Sequence, residues 1–152
     1  LKQGKIYVNR GNLTYTTNSG ASYEFTGITT GRQGRGNPVT ENYGPIPPGK
    51  YILKTKNISG GLDLRWIKWN YSDGDWGLYR VALEPMEGTE VYGRSGFFMH
   101  GGEVPGSAGC IDVARNYTLF ILMMTNDDEV VVEVSTHANV YGWEYGDYNF
   151  TA

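Results

Sequence analysis

Apolar and polar residues alternate over Lys5-Ile6-Tyr7-Val8 and Asn12-Leu13-Thr14-Tyr15. Alternation with a period of two predicts half-buried strands, and Arg10-Gly11 between them predicts a turn. Ser22 to Phe25 predicts another strand. Gly44-Pro45-Ile46-Pro47-Pro48-Gly49-Lys50-Tyr51 reads as a rigid turn, because proline fixes φ and glycine permits the bend. It feeds a strand over Tyr51 to Lys56. Leu78 to Leu83 and Glu129 to Ser135 alternate as further strands, and Phe97-Phe98-Met99-His100 reads as a short buried one. The pattern predicts one helix, Asp112 to Met124, capped by Asp112 or Asn116, with Leu119, Ile121, Leu122 and Met123 as its apolar face. Thr30 to Pro38 is a glycine-rich loop without the Lys-Ser/Thr ending or following helix of a phosphate-binding loop. Tyr141 to Phe150 is aromatic and acidic, and predicts a final hairpin or a loose end.

These elements predict a mainly β fold, a small sandwich or barrel with one helix. A chain of 152 residues suits a single domain spanning 1–152, with the acidic aromatic end 136–152 peripheral to it. Composition agrees: 22 glycines and 12 tyrosines favour turns and pleated surfaces over helices. No apolar run approaches the length of a membrane-spanning helix, the longest being Leu119 to Met124. A net charge of −3 argues against a nucleic-acid partner. The single cysteine makes no internal disulfide. All 13 Lys and Arg fall before residue 116, and the stretch after it is acidic, which reads as a solvated acidic region or leaves a basic face on the earlier part. Lys2 to Val8 does not read as a signal peptide, so the export route stays open.

The chemistry concentrates between Gly96 and Asp112. The lone cysteine, Cys110, follows one of only two histidines, His100, across a loop of glycines and a serine. A strand ending at His100 and a tight turn back would bring the two together. A start of the helix near Cys110, with an imidazolium beside it, would lower the thiol pKa. Such a pair is a nucleophile for acyl transfer, and the N–H groups of Gly109 and Cys110 are candidate oxyanion donors. The plainer alternative is a buried packing cysteine and a structural histidine. A metal set of His100, Glu103, Cys110 and Asp112 matches no closed zinc spacing.

His100-Gly101 followed by Ser107-Ala108-Gly109-Cys110 resembles the HG…SxGC signature of the L,D-transpeptidase (YkuD-like) catalytic domain. Asn37-Pro38, the Gly44 to Tyr51 turn and Arg94 ahead of the Phe-Phe-Met-His strand resemble its type VI secretion effector branch in particular. The resemblance runs from about Tyr15 to Val134. It implies a β fold with one helix after the catalytic cysteine, and a cysteine enzyme working without metal or organic cofactor. Its substrate would be the tetrapeptide stem of peptidoglycan, with D-alanine removed or exchanged. The resemblance makes Cys110 the nucleophile, His100 the base and Ser107 an orienting group. The Gly101 carbonyl would hold the imidazole, and Gly109 would serve the oxyanion. The family's arginine after the cysteine is replaced by Ile111 and Asp112, so Arg94, Tyr43 and Asp112 become candidate substrate contacts, with Arg32 and Arg35 as further cations. The resemblance further implies a secreted, monomeric antibacterial toxin acting in a target cell's periplasm, with a cognate immunity protein and no insertion into membranes.

Three other readings stay open. A Cys–His amidase or endopeptidase would use the same pair on a different bond. A non-catalytic glycan-binding module would use Trp66, Trp69, Trp76 and Trp143. Sequons at Asn12, Asn57, Asn70, Asn116 and Asn149 would suit a secreted glycoprotein.

Overall fold

A computed structural model describes residues 1–30, 44–60, 79–101 and 109–138. The first strand, β1 (Gln3–Asn9), buries Gly4, Ile6 and Val8 and exposes the residues between them. It turns through Arg10 and Gly11, both at positive φ, into β2 (Asn12–Thr16). A two-residue turn of this kind matches the twist of the flanking strands. Its amides are held by the carbonyls of His137 and Ala138. β3 (Ser22–Phe25) continues the meander. On the other side of β1 lies β10 (Glu129–Val134), parallel to it, with Val130, Val132 and Val134 facing inward.

β5 (Gly49–Lys54) pairs with β10, and its far edge meets β7 (Tyr79–Pro85). β7 is the corner of the fold. Its C-terminal end pairs with β5 through Pro85 and Glu84, while Arg80 to Leu83 pair with β8 (Phe97–His100). β9 (Cys110–Asp112) runs parallel to β8, and the two-residue β4 (Thr29–Thr30) closes that side. The two-residue β6 (Ser59–Gly60), reached from β5 through a single 3-10 turn at Thr55–Asn57, pairs with the start of β7. The result is a curled, mainly β fold whose apolar side chains form one cluster from Ile6 to Ala138.

The helix, α1, covers Thr118–Asn126 and not Asp112 to Met124. Cys110 to Asp112 is drawn into a strand because it bonds to neighbours on both sides, β8 and β4. Ala114 at a φ of 53° then breaks the chain direction before the helix can begin. Neither predicted cap acts as one. Asp112 Oδ1 accepts the Ala114 N–H at 2.8 Å, and Asn116 Nδ2 donates to the Thr26 carbonyl at 2.9 Å. The buried face is Leu119, Phe120 and Met123, with Leu122 packed at its edge, whereas Ile121 is half exposed. Phe120 stacks on Tyr79 with ring centroids 5.2 Å apart, which fastens the helix beside the start of β7. Burying a ring of this size contributes about 1.5–3 kcal/mol. Tyr141 to Phe150 lies outside the described residues, as does nearly all of the glycine-rich stretch. Among the described residues no helix is long and apolar enough to cross a membrane.

Candidate active site

β8 ends in His100 and β9 begins with Cys110. Phe98 stands opposite Cys110 and His100 opposite Asp112. Alternate residues of a strand share a face, so Phe98, His100, Cys110 and Asp112 all project to one side of the sheet. Met99 and Ile111 project to the other, into the core. His100 and Cys110 are thus diagonal neighbours, their Cα atoms roughly 8 Å apart for strands spaced by about 4.8 Å with a rise of about 3.3 Å per residue. Two side chains converging from the same face can close that gap. Arg80 stands opposite His100 on β7 and Thr29 opposite Asp112 on β4. A polar row of Arg80, His100, Asp112 and Thr29 therefore crosses four strands beside the thiol.

His100 is fully buried, and its Nδ1 lies 3.1 Å from the Gly101 carbonyl. A carbonyl only accepts, so Nδ1 carries the proton and Nε2 is the basic nitrogen. Only glycine fits at 101. A Cβ there would stand 2.5 Å from Tyr117 Cε1 and 2.7 Å from the Ala114 carbonyl. The Gly101 N–H is donated to the Tyr79 carbonyl at 3.3 Å, and the His100 carbonyl accepts the Val113 N–H at 2.9 Å. The histidine is therefore anchored on both its strand neighbours.

The thiol differs from the sequence-based expectation. Cys110 begins a strand, not a helix, and no helix terminus lowers its pKa. Burial pushes the thiol up to about 12, and the Asp112 carboxylate pushes it further in the same direction. A backbone hydrogen bond at Phe98 and the charges of Arg80 and Arg94 pull the other way without overcoming burial. The resting site thus holds a protonated thiol beside an imidazole oriented by the Gly101 carbonyl.

Other expected contacts sort differently. The Gly109 N–H is donated to the Gly44 carbonyl at 3.2 Å and so is not aimed at an incoming oxyanion. Arg94 is buried and donates to the carbonyls of Pro45 and Gly44. Asp112 is buried too and holds the turn at Ala114, so it meets the site as a charge beside His100 and Cys110 and not as an exposed contact. Ser107 and Tyr43 lie outside the described residues, as do Arg32, Arg35, Glu103 and the tryptophans. The structure adds Arg80, whose guanidinium lies 5.2 Å from the centroid of the Phe98 ring, the cross-strand neighbour of Cys110. No motif marks Arg80. Only the pairing of β7 with β8 shows where it falls.

The Tlde1 domain matches residues 23–136, three quarters of the chain. The chain belongs to the Tlde1 domain family. This is a type VI effector domain of the L,D-transpeptidase type. The fold agrees with the structure of the helical cell shape determining protein Pgp2 from Campylobacter jejuni, which is 18% identical with a TM-score of 0.51, covering 86% of this chain and 46% of that one. L,D-transpeptidase 1 of Mycobacterium tuberculosis aligns with 19% identity and a TM-score of 0.47, over 88% of this chain and 61% of that one. This Tlde1 domain thus spans about half the length of these solved proteins. No protein of curated function matches it.

Proposed function

We propose that this Tlde1 domain is a cysteine enzyme that acts on the tetrapeptide stems of peptidoglycan, removing or exchanging the terminal D-alanine. The observation that carries the reading is Cys110 and His100 on one face of adjacent strands, with Nδ1 turned to the Gly101 carbonyl so that Nε2 serves as base. Membership of the Tlde1 family supports the substrate class.

The raised thiol pKa shapes the mechanism. A preformed thiolate is scarce, so Nε2 takes the Sγ proton as sulfur attacks the carbonyl of the third stem residue. The tetrahedral adduct collapses, the C–N bond to D-alanine breaks, and the imidazolium returns its proton to the leaving amine. A thioester remains on Cys110. Water then releases a tripeptide stem, a free D-amino acid gives exchange, and a second stem amine gives a cross-link. Arg80, on the same face, is placed to attract the carboxylates of the stem. Ser107 orients His100 or the substrate in this reading, and Tyr43 lines the stem. Secretion into the periplasm of a target bacterium, a monomeric state and a cognate immunity protein complete the proposal.

The test is incubation with purified tetrapeptide muropeptides, with and without a free D-amino acid, followed by mass. Loss or replacement of D-alanine with wild type and not with Cys110→Ala supports it. Cleavage at another amide moves the same pair to an amidase or endopeptidase. No mass change with either protein rejects catalysis on these stems.

A further inference from the structure

Arg94 has a guanidinium buried next to Gly109, the residue before the nucleophile. Nη1 donates to the Pro45 carbonyl at 2.7 Å and Nη2 to the Gly44 carbonyl at 3.2 Å. The same Gly44 carbonyl accepts the Gly109 N–H at 3.2 Å. One oxygen is therefore shared between Arg94 and the residue immediately before Cys110. Gly109 has a φ of +70°, and a Cβ on it would lie 3.2 Å from Arg94 Nη2 and 3.3 Å from the Phe97 ring. Gly109 is thus seated directly against the guanidinium.

A second side chain completes the arrangement. The Tyr51 hydroxyl donates to the Pro47 carbonyl at 2.7 Å. Both Tyr51 and Arg94 rest on Phe97, with the Tyr51 ring centroid 5.5 Å from that of Phe97 and the Arg94 guanidinium carbon also 5.5 Å from it. Phe97 opens the strand that ends in His100. The proline turn is gripped at three carbonyls and passes that placement to both halves of the Cys–His pair. Burying a guanidinium is costly unless its donors are used. A planar fork can use two neighbouring carbonyls together and still lie over a ring, and a lysine ammonium cannot reproduce this.

The geometry points to Arg94 as a positioning residue for the nucleophile, acting through the Gly44 carbonyl and the Gly109 N–H. It holds no substrate carboxylate. The inference rests on the reading of Cys110 as nucleophile.

The experiment compares wild type with Arg94→Lys and Arg94→Gln, and uses Phe97→Leu as a milder way to loosen the same guanidinium. D-alanine release gives kcat and KM, iodoacetamide alkylation reports Cys110 directly, and thermal melting reports folding. Each folded variant is expected to lose about 10–100-fold in kcat with KM within about threefold, since misplacing a reacting group by about 1 Å has such an effect. Alkylation moves oppositely: a loosened loop exposes the thiol and it reacts about threefold faster or more. A rise in KM with kcat retained would overturn the inference in favour of substrate binding. A lowered melting temperature with kcat and alkylation unchanged would overturn it in favour of plain stability. If wild type releases no D-alanine, the proposed activity fails. The alkylation comparison still decides whether Arg94 places Cys110.

Discussion

Asp112 stands directly opposite His100 in the parallel pairing of β9 with β8, on the face that also carries Cys110. Its carboxylate is almost wholly buried and raises the thiol pKa. Asp112→Asn keeps an oxygen for the Ala114 N–H, the bond that shapes the turn. It removes the charge and turns the second carboxylate oxygen into an amide donor. The thiol pKa of that variant is expected to fall by up to about one unit, so iodoacetamide should label Cys110 up to about tenfold faster at a given pH below the pKa. An unchanged labelling profile would show that the carboxylate is not felt at the sulfur.

The buried thiol also makes stability depend on pH. Its pKa rises from 9.0 to about 12 on folding, so the folded chain holds that proton where the unfolded chain releases it. The contribution is whole below pH 9 and is lost as pH climbs through 9 towards 12. Tyr15 and Tyr51 are raised as well, chiefly by burial, and act with the same sign. The difference between wild type and Cys110→Ala isolates the cysteine. Urea denaturation should show wild type losing more stability than the variant between about pH 8 and about pH 10.5. Parallel losses would mean that the thiol is more solvated than its burial implies.

Much of this arrangement is legible in the sequence where structure is local. The hairpin at Arg10-Gly11, the strand Ser22 to Phe25 and the strand ending at His100 all follow from alternation, turn chemistry or an apolar run. The reading fails where pairing is distant. Cys110 to Asp112 carries nothing that distinguishes it from a helix start until β8 and β4 flank it. With that strand in place, the expected lowering of the thiol pKa gives way to burial. Arg94 is visible as a cation near the motif, yet its direction depends on a turn fifty residues away in sequence. Arg80 enters the site only through strand register.

Asp127 closes the C-terminal end of α1 and is nearly fully buried. The Tyr15 hydroxyl donates to Oδ2, while Oδ1 accepts the Asn18 N–H at 3.1 Å and Asn18 Nδ2 at 2.8 Å. The carboxylate joins the helix end to β2 and to the turn after it, far from the thiol in the sheet order. Asp127→Ala strands a buried tyrosine hydroxyl and frees the turn, and is expected to cost about 2–4 kcal/mol. Tyr15→Phe removes one donor and should cost about 1 kcal/mol. Denaturant titration measures both. At a temperature where Asp127→Ala remains folded, its alkylation rate at Cys110 should match wild type, because the side-chain partners described here, Tyr15 and Asn18, lie on β2 and the turn after it, across the sheet order from β9.

Gly101 offers a test of the histidine's placement. A methyl group added there meets Tyr117 and the Ala114 carbonyl at once. Gly101→Ala must push the peptide aside, and that peptide carries the oxygen facing His100 Nδ1. D-alanine release from muropeptides is expected to fall about 100-fold, with a loss of about 1–3 kcal/mol in stability from overpacking. Adding Tyr117→Ala removes the first clash and returns some stability. It leaves the second, since a backbone carbonyl 2.7 Å away has no rotamer by which to retreat. The double variant should therefore regain melting temperature without regaining turnover. Recovery of both would mean that the tyrosine ring alone sets the glycine requirement and that the Gly101 carbonyl tolerates displacement.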